Sequence, residues 1–96
     1  MMVVKFHPDA EAEMLAAAAY YETQQPNLGR RFLVAVQDAA NRLAATPGLY
    51  PVVDLDVRRC LVKTFPYGLL FRVRDEAFMI MAVMHLSRDP DYWKYR

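Results

Sequence analysis

The sequence predicts an α+β fold of order βααβββ, with an antiparallel-rich, four-stranded sheet carrying a helical hairpin on one face. Three observations predict it. Apolar residues recur at helical spacing over two neighbouring segments, 9–24 and 28–45, with only a short break between them. Beyond residue 56 the pattern changes to short β-branched or alternating runs. The last of these, beginning at Ala77, does not alternate at all, as in a central strand buried on both faces.

Taken in order, Val3-Val4-Lys5-Phe6 reads as a first strand, stopped by His7-Pro8-Asp9. Asp9 has the side chain of a helix N-cap. From there to Gln24, Ala10, Met14, Ala17, Ala18 and Tyr21 share one stripe, with Glu11 and Glu22 off it. The run Ala16–Ala19 is narrow and lets a second helix approach closely. Pro26-Asn27 breaks the helix, and Asn27 is placed to cap the next. In that second helix Leu28, Phe32, Val36, Ala39, Ala40 and Leu43 form the stripe, joined by Gly29, until Thr46-Pro47-Gly48 ends it. So short a link predicts an antiparallel hairpin. Leu49–Asp56 reads as a loop or an irregular edge strand, since Pro51 weakens a strand. Val57–Thr64 is a β-branched, basic strand, and Phe65-Pro66-Tyr67-Gly68 a turn. Leu69–Arg74 alternates, with Leu69, Phe71 and Val73 on one face and Leu70, Arg72 and Arg74 on the other. Asp75-Glu76 turns the chain into the final strand, Ala77–His85. Phe6, Met14, Phe32, Val36, Leu43, Phe71, Phe78 and Ile80 are the predicted core.

The chain of 96 residues makes one small domain, 1–96, and such a domain buries only about two thirds of its unfolded surface. Yet 55% of the residues are hydrophobic, above the ordinary share of about 45–50%. The excess predicts an exposed apolar groove or patch, near the helices or a sheet edge, that a partner covers. The net charge of +1 gives no global nucleic-acid signature. Within Val57–Arg74, however, Arg58, Arg59, Lys63, Arg72 and Arg74 stand without an acid. That cluster suits phosphate or a carboxylate-rich partner, or equally a solvated sheet face. Cys60 is the sole cysteine, so there is no disulfide framework. Two isolated histidines and one cysteine make no metal site, and no cofactor is expected. The longest apolar run, Ala77–Met84, is far below a membrane span. No membrane partner is expected, and a cytoplasmic location is.

The run after Met84 concentrates unusual chemistry: His85-Leu86-Ser87-Arg88-Asp89-Pro90-Asp91-Tyr92-Trp93. Its aromatic residues predict a segment docked on the fold rather than frayed. Tyr92 and Trp93 are read first as packing residues, Tyr20 and Tyr21 as helix-interface residues. Asp89 and Asp91 flank Arg88 and are placed to neutralise it.

These residues resemble the ParE/RelE superfamily of toxins from bacterial type II toxin–antitoxin modules, which include plasmid stabilisation proteins. The resemblance rests on Pro8-Asp9-Ala10-Glu11-Ala12-Glu13, Tyr20-Tyr21-Glu22, Gly29-Arg30-Arg31-Phe32, Thr46-Pro47, Arg58-Arg59, Phe65-Pro66-Tyr67-Gly68 and His85-x-x-Arg88-x-Pro90-x-Tyr92-Trp93. These pieces span nearly the whole chain in order. The resemblance implies the βααβββ fold and a cognate antitoxin whose segment wraps the toxin, with oligomers of the two compatible with it. Tyr20, Tyr21, Phe32 and Trp93 are then candidates for antitoxin contact or for packing.

Two activities follow from the resemblance. RelE-like members cleave messenger RNA on the ribosome without a metal, and ParE-like members inhibit DNA gyrase. Metal-free cleavage needs a base, an acid and cations on the phosphate. Arg58, Arg59, Lys63 and Arg72 from the sheet, with His85, Arg88 and Tyr92, are the candidates for it. The expectation is that the sheet cations lie on the face away from the helices, with His85 and Arg88 at one end. Against cleavage stand the near-neutral charge, which steers weakly toward the ribosome's phosphates, and the scarcity of lysine on the sheet. The reading leans to the ParE-like, non-nuclease toxin, with the ribosome-dependent endoribonuclease and a non-toxic peptide-binding adaptor as alternatives.

Overall fold

A computed structural model describes residues 2–96. Strand β1 (Val3–Phe6) leads into helices α1 (Pro8–Gln24) and α2 (Leu28–Ala45). A 3-10 turn at Pro47–Leu49 follows, then strands β2 (Val52–Asp54), β3 (Val57–Leu61), β4 (Tyr67–Arg74) and β5 (Ala77–His85). The sheet has five strands rather than four, in the order β1-β5-β4-β3-β2. β1 pairs parallel to β5, and every other pairing is antiparallel. The added strand is β2, which forms just after Pro51. Pro51 lacks an N–H, but at an edge only its carbonyl is needed, and Arg59 donates to it at 3.0 Å.

The helix starts differ from the sequence expectation by local chemistry. Pro8, with its fixed φ and no N–H, occupies the first turn of α1, so the cap moves back to His7. The His7 Nδ1 accepts from the Asp9 N–H at 3.1 Å. Asn27 does not cap α2 through its side chain; it sits in the left-handed region at φ 71°. Glu22 takes over, accepting from the N–H groups of Asn27 and Gly29, each at 3.0 Å. Gly29 is required there, because a Cβ would press on the Ala18 carbonyl oxygen. The narrow alanine run of α1 and Gly29 of α2 thus let the two backbones meet.

The hairpin covers one face of the sheet. Ala10, Ala17 and Ala18 of α1 and Phe32, Val36, Ala39, Ala40 and Leu43 of α2 bury against Cys60, Leu69, Phe71, Phe78, Ile80 and Val83. Phe6 and Met14 are only half-buried at the border of this core. β3 ends at Leu61, three residues sooner than expected, because Thr64 turns through φ 74°. Tyr67, expected in the turn, is the first residue of β4 and faces His85. Asp75 and Glu76, both at positive φ, make the tight β4–β5 turn.

The second face of the sheet is also covered. A register shift at Leu70/Phe71 leaves Met81 as an extra residue between Ile80 and Ala82 on β5. Such a bulge sets two successive side chains on one side. Met81 and Ala82 both bury with Val57, Leu70 and Met84 against Trp93. Residues 86–96 run as a chain of turns across this face, and the Trp93 indole N–H donates to Pro90 O at 2.6 Å. The large exposed apolar residues are spread over several elements. Leu15 and Tyr20 belong to α1, Val34 to α2, and Leu49, Val52, Val53 and Leu55 to the β2 edge and its flanks.

Candidate functional site

Strand alternation divides the cations that the sequence groups together. Arg58 stands opposite Phe71, on the helix side of the sheet, and donates to Tyr50 O at 2.7 Å. Lys63 lies beyond the end of β3 and reaches toward Asp38 of α2 at 4.0 Å. Only Arg59, opposite Leu70, and Arg72, opposite Met79, occupy the far face. The stem of Arg59 lies across Gly68, where a Cβ would come within 3.2 Å of it. Arg72 meets Asp56 at 3.5 Å. The expectation of one basic face is therefore corrected: neighbouring residues of a strand point to opposite sides, so Arg58 and Arg59 cannot share one.

What the structure does bring together lies where β5 leaves the sheet. A groove of about 300 Å³ is lined by Glu13, Tyr20, Tyr67, His85 and Arg88, with Ala16 and Ala17 as its floor. His85 is positioned by two neighbours. Its Nδ1 accepts from the Ser87 N–H at 3.0 Å, and its ring stands edge-on to Tyr67 at 5.1 Å. In the neutral ring the proton then resides on Nε2. Arg88 lies 3.7 Å over the Tyr92 ring and 3.5 Å from Glu13. Asp89 and Asp91 do not neutralise it. Asp89 accepts from the Asp91 N–H at 2.9 Å, and Asp91 pairs with Lys94 at 2.9 Å.

Glu13 organises this end of the molecule. Beyond the last residue of β1, the edge of β5 lacks a neighbouring strand. The Val83 N–H there donates to the Glu13 carboxylate at 3.1 Å. Arg96 grips the same carboxylate with both terminal nitrogens, at 2.7 and 3.1 Å, and also donates to Met81 O at 3.1 Å. Burial alone would raise the Glu13 pKa, but the Arg96, Tyr92 and Val83 contacts outweigh it and hold the carboxyl below its ordinary range. Tyr92 shows the reverse. Burial first, and the nearby carboxylate second, push its phenol well above the tyrosine range. Tyr92 is thus a fixed neutral platform on which Arg88 and Arg96 rest, the latter 5.0 Å from the ring centre.

Of the candidate contact residues, Phe32 is fully buried and Trp93 nearly so. Tyr21 joins Phe32, Phe65 and Tyr67 in an aromatic cluster with ring centres 4.9–6.3 Å apart. Tyr20 alone of the four is exposed. Sequence reasoning missed Glu13, Tyr67 and Arg96. For Glu13 a signal existed: it lies three residues after Ala10 and four before Ala17, so a carboxylate interrupts the buried stripe of α1. Among the described residues no group of three or more His, Cys, Asp or Glu is arranged to hold a metal. No helix of the described residues is long and apolar enough to cross a membrane.

The fold is that of a small α+β protein, a helical hairpin on one face of a five-stranded mixed sheet. A solved structure described as "Chromosomal ParDE TA system from P. aeruginosa" superposes with a TM-score of 0.66 at 22% identity, covering 91% of this chain and 98% of that one. Toxin ParE2 of Mycobacterium tuberculosis, from strains CDC 1551 / Oshkosh and ATCC 25618 / H37Rv, is 25% identical over 89 residues, 92% of this chain and 85% of that protein. The family model of the ParE toxin of type II toxin–antitoxin systems, parDE, matches residues 4–90. The chain belongs to that family.

Proposed function

We propose that this ParE-family toxin arrests growth by binding DNA gyrase rather than by cutting RNA, and that the His85–Arg88 groove is part of its effector surface. One observation carries the reading: the groups that RNA cleavage requires are not gathered. Arg58 and Lys63 are on the helix side, Arg59 shares a pocket with Pro90, Trp93 and Lys94, and Arg72 faces Asp56. In the groove, Glu13 offsets the charge of Arg88 and Arg96. A scissile phosphate would meet one guanidinium already facing a carboxylate. Burial, and then the Glu13 carboxylate, raise the pKa of the Tyr92 phenol, which makes it a weaker acid toward a departing oxygen. What remains is a shallow surface of imidazole, guanidinium and exposed Tyr20, suited to recognition through charge-assisted and aromatic contacts.

The test is a supercoiling assay with purified gyrase beside a ribosome-dependent messenger-cleavage assay. Inhibited supercoiling with intact messenger is the expected result. His85→Ala and Arg88→Ala should each raise the toxin concentration needed for inhibition by roughly tenfold, about 1.4 kcal/mol of binding. Cleaved messenger in the parent, lost in His85→Ala, would defeat the proposal and favour the nuclease reading.

A further inference from the structure

Glu13 is shared unequally by two arginines. Arg96 grips its carboxylate with both terminal nitrogens, at 2.7 and 3.1 Å, and the Arg96 side chain is 14% exposed. Arg88 reaches the same carboxylate through one nitrogen, at 3.5 Å, and is 54% exposed. A long, exposed ion pair contributes little, whereas a largely buried fork holds its carboxylate firmly. Arg88 is therefore free to leave Glu13 without stranding it, because Arg96 keeps that charge paired. The Tyr92 ring, 3.7 Å below the guanidinium, supports Arg88 independently of Glu13.

A second donor stands one turn away. The Arg88 N–H donates to His85 O at 3.0 Å, and both side chains line the groove. The Ser87 N–H occupies His85 Nδ1 at 3.0 Å, so the neutral ring carries its proton on Nε2, which meets no acceptor among the described residues. Two donors with N–H to spare at one groove suit an acceptor with two oxygens. The rest of the lining selects which acceptor. Its charges are Arg88 against Glu13, so it offers no net positive charge to draw a row of phosphates. Ala16, Ala17 and Val83 add apolar surface, and Tyr20 adds a ring that is 60% exposed. A carboxylate flanked by apolar side chains uses the donors and this surface together, and a phosphate backbone uses only the donors.

We propose that the groove takes an aspartate or glutamate side chain of the protein on which the toxin acts, its carboxylate held by Arg88 and the His85 Nε2–H while Arg96 retains Glu13. The assignment rests on this groove being the effector surface. It is tested first without gyrase, by titrating the peptide acetyl-leucyl-aspartyl-leucinamide into the isotope-labelled chain and following the Arg88 guanidinium and His85 ring signals by NMR. The asparaginyl counterpart is the control. The aspartyl peptide should shift both signals and bind roughly fivefold or more tightly than the control. Arg88→Gln should abolish that preference. Glu13→Gln removes the carboxylate that competes for Arg88, and should bind the aspartyl peptide roughly two- to threefold more tightly than the parent, a gain that a merely structural Glu13 would not give.

Equal binding of the two peptides to the parent overturns the assignment. So does weaker binding of the aspartyl peptide by folded Glu13→Gln. A single-stranded oligonucleotide that binds at lower concentration and shifts the same two signals overturns it in favour of phosphate. Should Glu13→Gln unfold, the parent's preference between the two peptides decides. The supercoiling assay then separates this assignment from the reading on which it rests. Inhibited gyrase with no preference for the aspartyl peptide overturns the carboxylate site and leaves gyrase as the target. A clear preference with gyrase left active supports the carboxylate site and removes gyrase as the target.

Discussion

The two faces of the sheet are closed by different means. Under the hairpin, apolar side chains from two long helices interlock with alternate residues of β3, β4 and β5. Under residues 86–96, Trp93 fills a small apolar patch, and the closure is completed by polar clamps: Arg96 on Glu13, Lys94 on Asp54 and Asp91, and Arg88 over Tyr92. The first face depends on the hydrophobic effect, which is insensitive to pH and little affected by ionic strength. The second adds interactions that answer to protonation and salt. The His85–Arg88 groove proposed as effector surface stands beside this second, more adjustable face.

Breaking the helix face should have the largest effect. Phe32→Ala removes a fully buried ring that contacts three other aromatics, and should cost about 3–5 kcal/mol in a urea titration. Trp93→Ala should cost less, about 2–3 kcal/mol, because residues 86–96 can leave the sheet without unfolding the hairpin. Limited proteolysis would then cut within 86–96 while 2–85 survives. If Trp93→Ala matches Phe32→Ala and the whole chain is digested, the two faces form a single cooperative unit.

Gly29→Ala sharpens the comparison on the helix side. The added methyl meets backbone, the Ala18 carbonyl, rather than a movable side chain, and a loss of about 1–3 kcal/mol is expected. Glu13→Gln, on the clamp side, should cost about 1–2 kcal/mol at neutral pH. Because the Glu13 pKa is lowered in the fold, its contribution is complete above the unfolded carboxyl value, about 4.3. It disappears as pH falls through the lower folded value. Stability of the parent should therefore decline below about pH 4, and Glu13→Gln should lack that component. An unchanged acid profile in Glu13→Gln would show that other carboxylates govern the decline.

Much of the fold was legible because burial on a helix follows a period that one sequence displays. The α2 stripe of Phe32, Val36, Ala39, Ala40 and Leu43 is buried as the spacing predicts. The non-alternating run Ala77–Met84 does become the central strand between β1 and β4. For Leu49–Asp56 the sequence left a loop and an irregular edge strand both open, since three edge residues after a proline carry little periodicity, and the structure makes Val52–Asp54 the edge strand. The candidate site was legible only in part. His85 and Arg88 line one groove, but Glu13, which lines it with them and faces Arg88, comes from far along the chain.

By itself, then, the sequence determined the helical hairpin, the central strand and the docking of the aromatic segment around Trp93, because each is dictated by local periodicity or by apolar side chains that must leave water. Only the tertiary structure decided which cations share a face. Lys63 leaves the sheet to reach Asp38 of α2, β5 bulges at Met81, and Glu13 of α1 meets Arg96 and Arg88 across the molecule. Charge placement of that kind depends on strand register and long-range closure, to which local periodicity is blind.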